Sequence, residues 1–134
     1  MASVRGAGAA GGLNPTVRRV PVARLDDVAP GTMLMVQVDG TDILLVNLNG
    51  TIHATQGVCS HEYFELDRGF LTADTLTCAL HLSRFDLETG EALDPPAELP
   101  LMTYPAVVDD GEIVLELPEG PVPVNEWTPK TTRC

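Results

Sequence analysis

Cys59-Ser60-His61 and Cys78-Ala79-Leu80-His81 each offer one thiol and one imidazole, and sixteen residues separate the two pairs. Thiolate is a soft ligand and imidazole a borderline one, so four such donors meeting at a point suit a soft-to-borderline metal rather than calcium or magnesium. For them to meet, the chain between His61 and Cys78 must double back. The whole sequence holds three cysteines and three histidines, so most of its metal-binding side chains fall into this one pattern. The bland alternative is two unrelated Cys/His pairs in separate loops. His53 lies six residues before Cys59 in a strand-like pattern and reads as structural, because two histidines already complete the set. Cys134 is left over and has no assigned role.

Two kinds of centre accept this donor set. A structural zinc site takes any four of these ligands, but such sites usually pair like with like, and here each pair is mixed. A Rieske [2Fe-2S] centre needs two cysteines on one iron and two histidines on the other. The spacing C-x-H, sixteen residues, C-x-x-H resembles the Rieske signature. Leu66, Gly69, Ser83, Phe85-Asp86 and Thr89-Gly90 extend the likeness. It is similar above all to the small Rieske-type ferredoxins of bacterial ring-hydroxylating dioxygenase systems. Two positions depart from the family's commonest pattern: Ala79 stands where proline is usual, and Leu82 where glycine usually follows the second histidine. The second bears on the loop backbone, since glycine tolerates positive φ and leucine seldom does.

The resemblance implies one [2Fe-2S] Rieske cluster held by Cys59, His61, Cys78 and His81. Ser83 and Phe85 would lie behind it. Glu62, Tyr63, Phe64, Leu80, Leu82, Pro95 and Pro96 would rim it, either touching partners or shielding the cluster from water. High-potential relatives carry an extra disulfide and a tyrosine hydroxyl beside the cluster; Phe64 and Leu80 occupy the matching cysteine positions, and Phe85 the tyrosine position. Fewer hydrogen-bond donors place the expected potential at the low end of the Rieske range, near about −150 mV. The implied function is one-electron transfer without turnover of a substrate. An NAD(P)H-dependent flavoprotein ferredoxin reductase would be the donor, and the Rieske centre of a terminal oxygenase the acceptor. A small Rieske subunit of another oxidoreductase and a structural zinc module remain the alternatives.

The elements that must position these residues read as short strands. Val17 to Ala23, Thr32 to Val38, Asp42 to Leu48 and Thr51 to Thr55 alternate or run apolar between turn signals at Pro30-Gly31, Asp39-Gly40 and Asn49-Gly50. Asp74 to Thr77, Arg84 to Leu87 and Glu91 to Leu93 follow, with Thr89-Gly90 as a turn. Thr103 to Val108 and Glu112 to Leu117 form a last hairpin through Asp109-Asp110-Gly111. Many short strands predict an all-β fold. The resemblance makes it a Rieske-type β-sandwich base with a small cluster-binding subdomain, about 57 to 96, that carries two ligand loops. Residues 1 to 16, rich in glycine and alanine, read as a flexible N-terminal segment; 17 to 117 as the domain; and 118 to 134, with four prolines, as an extended C-terminal tail.

Bulk properties limit the partners. A chain of 134 residues makes one domain. Its formal net charge of −11 argues against nucleic acid and suits basic protein surfaces, though acidity also serves solubility alone. No apolar run is long enough to cross a membrane. Arg18-Arg19 is followed by Pro21, Arg24, Asp26 and Asp27 rather than by the apolar stretch of an export signal. A cytoplasmic protein, monomeric in solution, is the expectation.

Overall fold

The structure is a computed structural model that describes residues 17–60, 64–79, 82–94, 97 and 99–125. The expected N-terminal segment and the last nine residues lie outside them. Ten strands make three antiparallel sheets. In chain order they are β1 (Val17–Arg24), β2 (Met33–Val38), β3 (Thr41–Leu48), β4 (Thr51–Gln56), β5 (Phe70–Thr72), β6 (Thr75–Thr77), β7 (Arg84–Asp86), β8 (Thr103–Tyr104), β9 (Ala106–Asp109) and β10 (Glu112–Pro118). The sheets run β9-β10-β1, β2-β3-β4-β8 and β5-β6-β7. Short 3-10 turns at Leu25–Asp27 and Leu66–Arg68 are the only helical pieces among the described residues.

Turn chemistry sets the hairpins. Asp39 and Gly40, Asn49 and Gly50, and Asp110 and Gly111 all adopt positive φ, the backbone that a tight two-residue hairpin demands and that Asn, Asp and Gly reach most cheaply. They join β2 to β3, β3 to β4 and β9 to β10. The pairing of β10 with β1 slips between Ile113 and Val114, where Pro21 stands opposite Val114. A proline has no N–H to give the ladder, and a bulge is where a sheet tolerates it.

Strand β3 is the wall shared by two cores. Ile43 and Leu45 point into the space between the two larger sheets, where they meet Ile52, Ala54, Tyr104, Ile113, Leu115 and Leu117. Leu44 and Val46 point the opposite way, into a second core with Leu66, Leu76, Phe85, Leu87 and Leu101 beneath the small sheet. A strand covered on both faces needs apolar residues at successive positions, which explains the unbroken run Ile43-Leu44-Leu45-Val46. The one polar interruption, Asn47, is buried and satisfied: its amide donates to the carbonyl of Val28 at 2.8 Å and its oxygen accepts from the amide of Gly50 at 2.8 Å.

Three elements differ from the sequence expectation. Thr103 to Val108 is not one strand. Pro105 divides it, so that β8 pairs with β4 while β9 pairs with β10, and the chain changes sheets at the residue that cannot donate. Glu91 to Leu93 forms no strand; Ala92 makes a single bridge to Phe85. Phe70–Thr72 is a strand that the sequence reading passed over. Beyond β10 the chain is extended, and it stays with the domain as far as it is described. Val122 is buried in the base core, and the Tyr104 hydroxyl donates to the carbonyl of Pro123.

Candidate metal centre

Both predicted ligand loops leave the ends of strands. After β4 the chain reaches Cys59, whose amide donates to the carbonyl of Phe64 at 3.0 Å, which closes the first ligand loop. Val58 and Glu65 bridge at its base, and the amide of Leu66 donates to the carbonyl of Gly57 at 2.8 Å. The second loop lies between β6 and β7. There the Cys78 amide donates to the carbonyl of Ser83 at 2.9 Å, and the Leu82 amide to the carbonyl of Cys78 at 2.8 Å. Glycine is required where the roots of these loops pack. A Cβ at Gly69 would overlap the carbonyl oxygen of Thr77, and one at Gly57 would press on Met35 and Asp42.

Cys59 and Cys78 are 5% and 2% exposed and belong to one buried cluster, so the fold brings both thiols into the second core from separate loops. That is the doubling back that the spacing demanded. The donor chemistry fits a thiolate-held iron: soft sulfur ligands, an apolar surround of Leu66, Leu76 and Phe85, and two loops pinned by backbone bonds. His61 and His81 lie outside the described residues, as do Glu62, Tyr63, Leu80, Pro95 and Pro96. Their expected roles as ligands and rim are carried forward as proposals.

Of the remaining candidates, Ser83 and Phe85 are buried, Phe64 is half-buried and Leu82 is 60% exposed. The Ser83 hydroxyl oxygen accepts from the amide of Ala97 at 3.3 Å, which leaves its own proton for a further acceptor. Phe64 packs against the second core with the guanidinium of Arg68 5.4 Å from its ring centre. Phe85 is fully enclosed, paired across the small sheet with Leu76. His53 is half-buried on β4 opposite Val46.

Three polar contacts that the sequence did not announce hold the loops. Ser60, fully buried, donates its hydroxyl to the carbonyl of Leu99 at 2.6 Å, tying the first ligand loop to the 97–101 segment. Arg84 and Asp94 form a forked ion pair, Nε to Oδ2 at 2.6 Å and a terminal guanidinium nitrogen to Oδ1 at 3.2 Å, which fastens β7 to the same side of the molecule. The Arg84 hydrogen bond holds the Asp94 carboxyl below its ordinary range, and Asp94 in turn raises the guanidinium. Gln56, at the root of the first loop, uses its carboxamide to bind Val58, Met102 and Asn125. Nothing short of tertiary packing distinguishes this glutamine from any other at a strand end.

Comparison with known proteins gives a consistent set of matches. The family model for the Rieske [2Fe-2S] domain matches residues 18–105. The ferredoxin component of the naphthalene 1,2-dioxygenase/salicylate 5-hydroxylase systems of a Ralstonia species is 35% identical over 98 residues, covering 73% of this chain and 94% of the relative. Among solved structures, the ferredoxin of carbazole 1,9a-dioxygenase from Nocardioides aromaticivorans IC177 superposes with a TM-score of 0.69 at 36% identity, covering 72% of this chain and 95% of that one. A complex of reduced oxygenase and oxidised ferredoxin of a carbazole 1,9a-dioxygenase also matches, with a TM-score of 0.69 at 26% identity over 72% of this chain and 91% of the other.

Proposed function

We infer the function from the premise that this chain belongs to the Rieske [2Fe-2S] domain family, and propose that it is the ferredoxin component of a ring-hydroxylating dioxygenase system. It carries one [2Fe-2S] cluster and passes single electrons to a terminal oxygenase; it is not itself the enzyme. The observation that carries this reading is that two buried thiols, from two separately closed loops, belong to one apolar core cluster.

Cys59 and Cys78 would hold one iron and His61 and His81 the other. When bound, the cluster supplies a one-electron couple, made easier to reduce than an all-cysteine cluster by two neutral ligands. The protein supplies the rest. Leu66, Leu76, Phe85 and Leu101 keep water from the sulfur side. The free proton of the Ser83 hydroxyl is a donor for the extra charge of the reduced state, and Phe85 offers none. The donor is an NAD(P)H-dependent flavoprotein reductase, and the system works in the cytoplasm, where that nucleotide is regenerated. No helix among the described residues is long and apolar enough to cross a membrane. Docking is brief at each partner, because a shuttle must leave as readily as it arrives.

Electron paramagnetic resonance of the dithionite-reduced protein tests the assignment. The wild type should give the signal of a mixed-ligand [2Fe-2S] cluster, and Cys78→Ala or His81→Ala should abolish it. A colourless, iron-free wild type after anaerobic reconstitution would refute the reading.

A further inference from the structure

Leu82 pays twice for its place. Its N–H donates a hydrogen bond to the carbonyl of Cys78, closing the second ligand loop, and its backbone sits at φ 63°, in the left-handed region. Among the described residues four other non-glycines share positive φ: Asp39, Asn49 and Asp110, each beside a glycine in a hairpin turn, and Ala73. Asp and Asn tolerate that backbone and alanine is small; a leucine there is an outlier. The side chain is also 60% exposed, so burial does not offset the strain. Glycine would relieve the backbone and asparagine would relieve both faults. A residue that the fold would be more stable without, directly after a ligand position, points to a use outside the fold.

Two more exposed leucines lie on segments that brace the ligand loops. Leu93, whose amide donates to the carbonyl of Arg84, and Leu99, whose carbonyl receives the Ser60 hydroxyl, are 41% and 40% exposed. Each adjoins a segment that carries or fastens the ligand loops. Between residues 57 and 96 the sequence has eight carboxylates and only Arg68 and Arg84 as cations, and Arg84 is already paired with Asp94. That stretch of chain is acidic, so the partner surface that complements it offers apolar and basic side chains.

We propose that Leu82 is the anchor by which this ferredoxin docks on its terminal oxygenase, seating on such a surface while one electron leaves the reduced carrier and reduces the oxygenase's own centre. The proposal rests on the carrier function given above. The oxygenase is taken as the partner because a ferredoxin of this fold has been solved in complex with its oxygenase.

Leu82→Gly and Leu82→Asn test it in the holo-protein. The acceptor is whichever terminal oxygenase, from naphthalene or carbazole dioxygenase systems, reoxidises the reduced wild type fastest. Both variants should show a higher urea midpoint, unchanged visible and paramagnetic resonance spectra, unchanged reduction by the reductase, and an apparent KM at the oxygenase raised about tenfold. An unchanged KM, an equal loss at the reductase, or altered cluster spectra in both variants would each overturn the proposal. A wild type that shows no [2Fe-2S] signal on reduction would strike the carrier reading instead, and that measurement comes first.

Discussion

Replacing Gln56 should loosen the root of the first ligand loop by an amount that its hydrogen bonds set. The side chain is 2% exposed. Its oxygen accepts from the amides of Met102 at 2.8 Å and Asn125 at 2.9 Å, and its nitrogen donates to the carbonyls of Val58 at 2.8 Å and Asn125 at 2.6 Å. All four positions of the carboxamide are filled. Alanine would strip partners from two N–H and two C=O groups, and at about 1 kcal/mol net per bond the upper figure is about 4 kcal/mol. The cleft lined by Gln37, Asp42, Gln56 and Val124 admits water that refills part of this, so a loss of about 2 to 4 kcal/mol is expected. Gln56→Glu keeps the shape but turns a carboxylate oxygen toward the carbonyls of Val58 and Asn125. A proton on that oxygen restores one donor, so the folded pKa of the new carboxyl rises above its unfolded value. The folded state then binds more protons, and stability relative to wild type falls as pH rises from the unfolded carboxyl range through the raised value. The assay is urea denaturation of the holo-protein between about pH 4 and pH 9, followed by circular dichroism and by cluster absorbance. A loss below about 0.5 kcal/mol for Gln56→Ala, or a Gln56→Glu penalty that ignores pH, would refute the reasoning.

Three further substitutions separate the parts of the molecule. Phe85→Tyr puts a hydroxyl beside the sulfur ligands; a hydrogen bond favouring the reduced state by about 1 to 1.5 kcal/mol raises the potential by about 40 to 65 mV for one electron, from a value near about −150 mV. Protein-film voltammetry reads it, and a potential that holds or falls counts against the donor argument. Leu44→Ala and Leu45→Ala remove neighbouring side chains, both fully buried, from opposite faces of β3. Each should cost about 2 to 5 kcal/mol, but only Leu44→Ala should speed loss of cluster colour at a denaturant concentration that leaves the sheets folded. Equal bleaching in both would mean that the two cores fail together.

Sequence rules reached the architecture wherever a local signal sufficed. Asn49-Gly50 and Asp110-Gly111 named two hairpins, and Asp39-Gly40 the turn between β2 and β3, because positive φ is a property of the turn itself. Cys59 and Cys78 stood out because their chemistry is scarce in the chain and their spacing specific, and both are buried in one core. What stayed hidden depends on partners distant in sequence. Thr103 to Val108 has the alternation of one strand, and only the sheets on either side show that Pro105 sends it from β4 to β10. Phe70–Thr72 is three residues long and ends in an Ala73-Asp74 turn without glycine, so neither length nor punctuation marks it. The proline-rich stretch after β10 reads as a tail, yet Val122, Pro123 and Asn125 are held by contacts with Tyr104 and Gln56, nineteen and sixty-nine residues away from the positions they bind.

The same split between local and distant determinants explains how a small carrier keeps its metal loops in register. Each loop closes on itself through one or two backbone bonds, which fix its shape but not its place. Place comes from β3, whose alternate residues belong to different cores, so that Leu44 and Val46 cannot move toward the cysteines without drawing Ile43 and Leu45 out of the sandwich. Close-packed interiors resist that displacement. Ser60 to Leu99, Ala97 to Ser83 and Arg84 to Asp94 then join the two loops to a third segment, so the sulfur donors approach from a frame braced on three sides. A frame of that kind changes little when charge arrives or leaves. It confines adjustment to the exposed rim, where Leu82 is the one bulky apolar residue held in a left-handed backbone among the described residues.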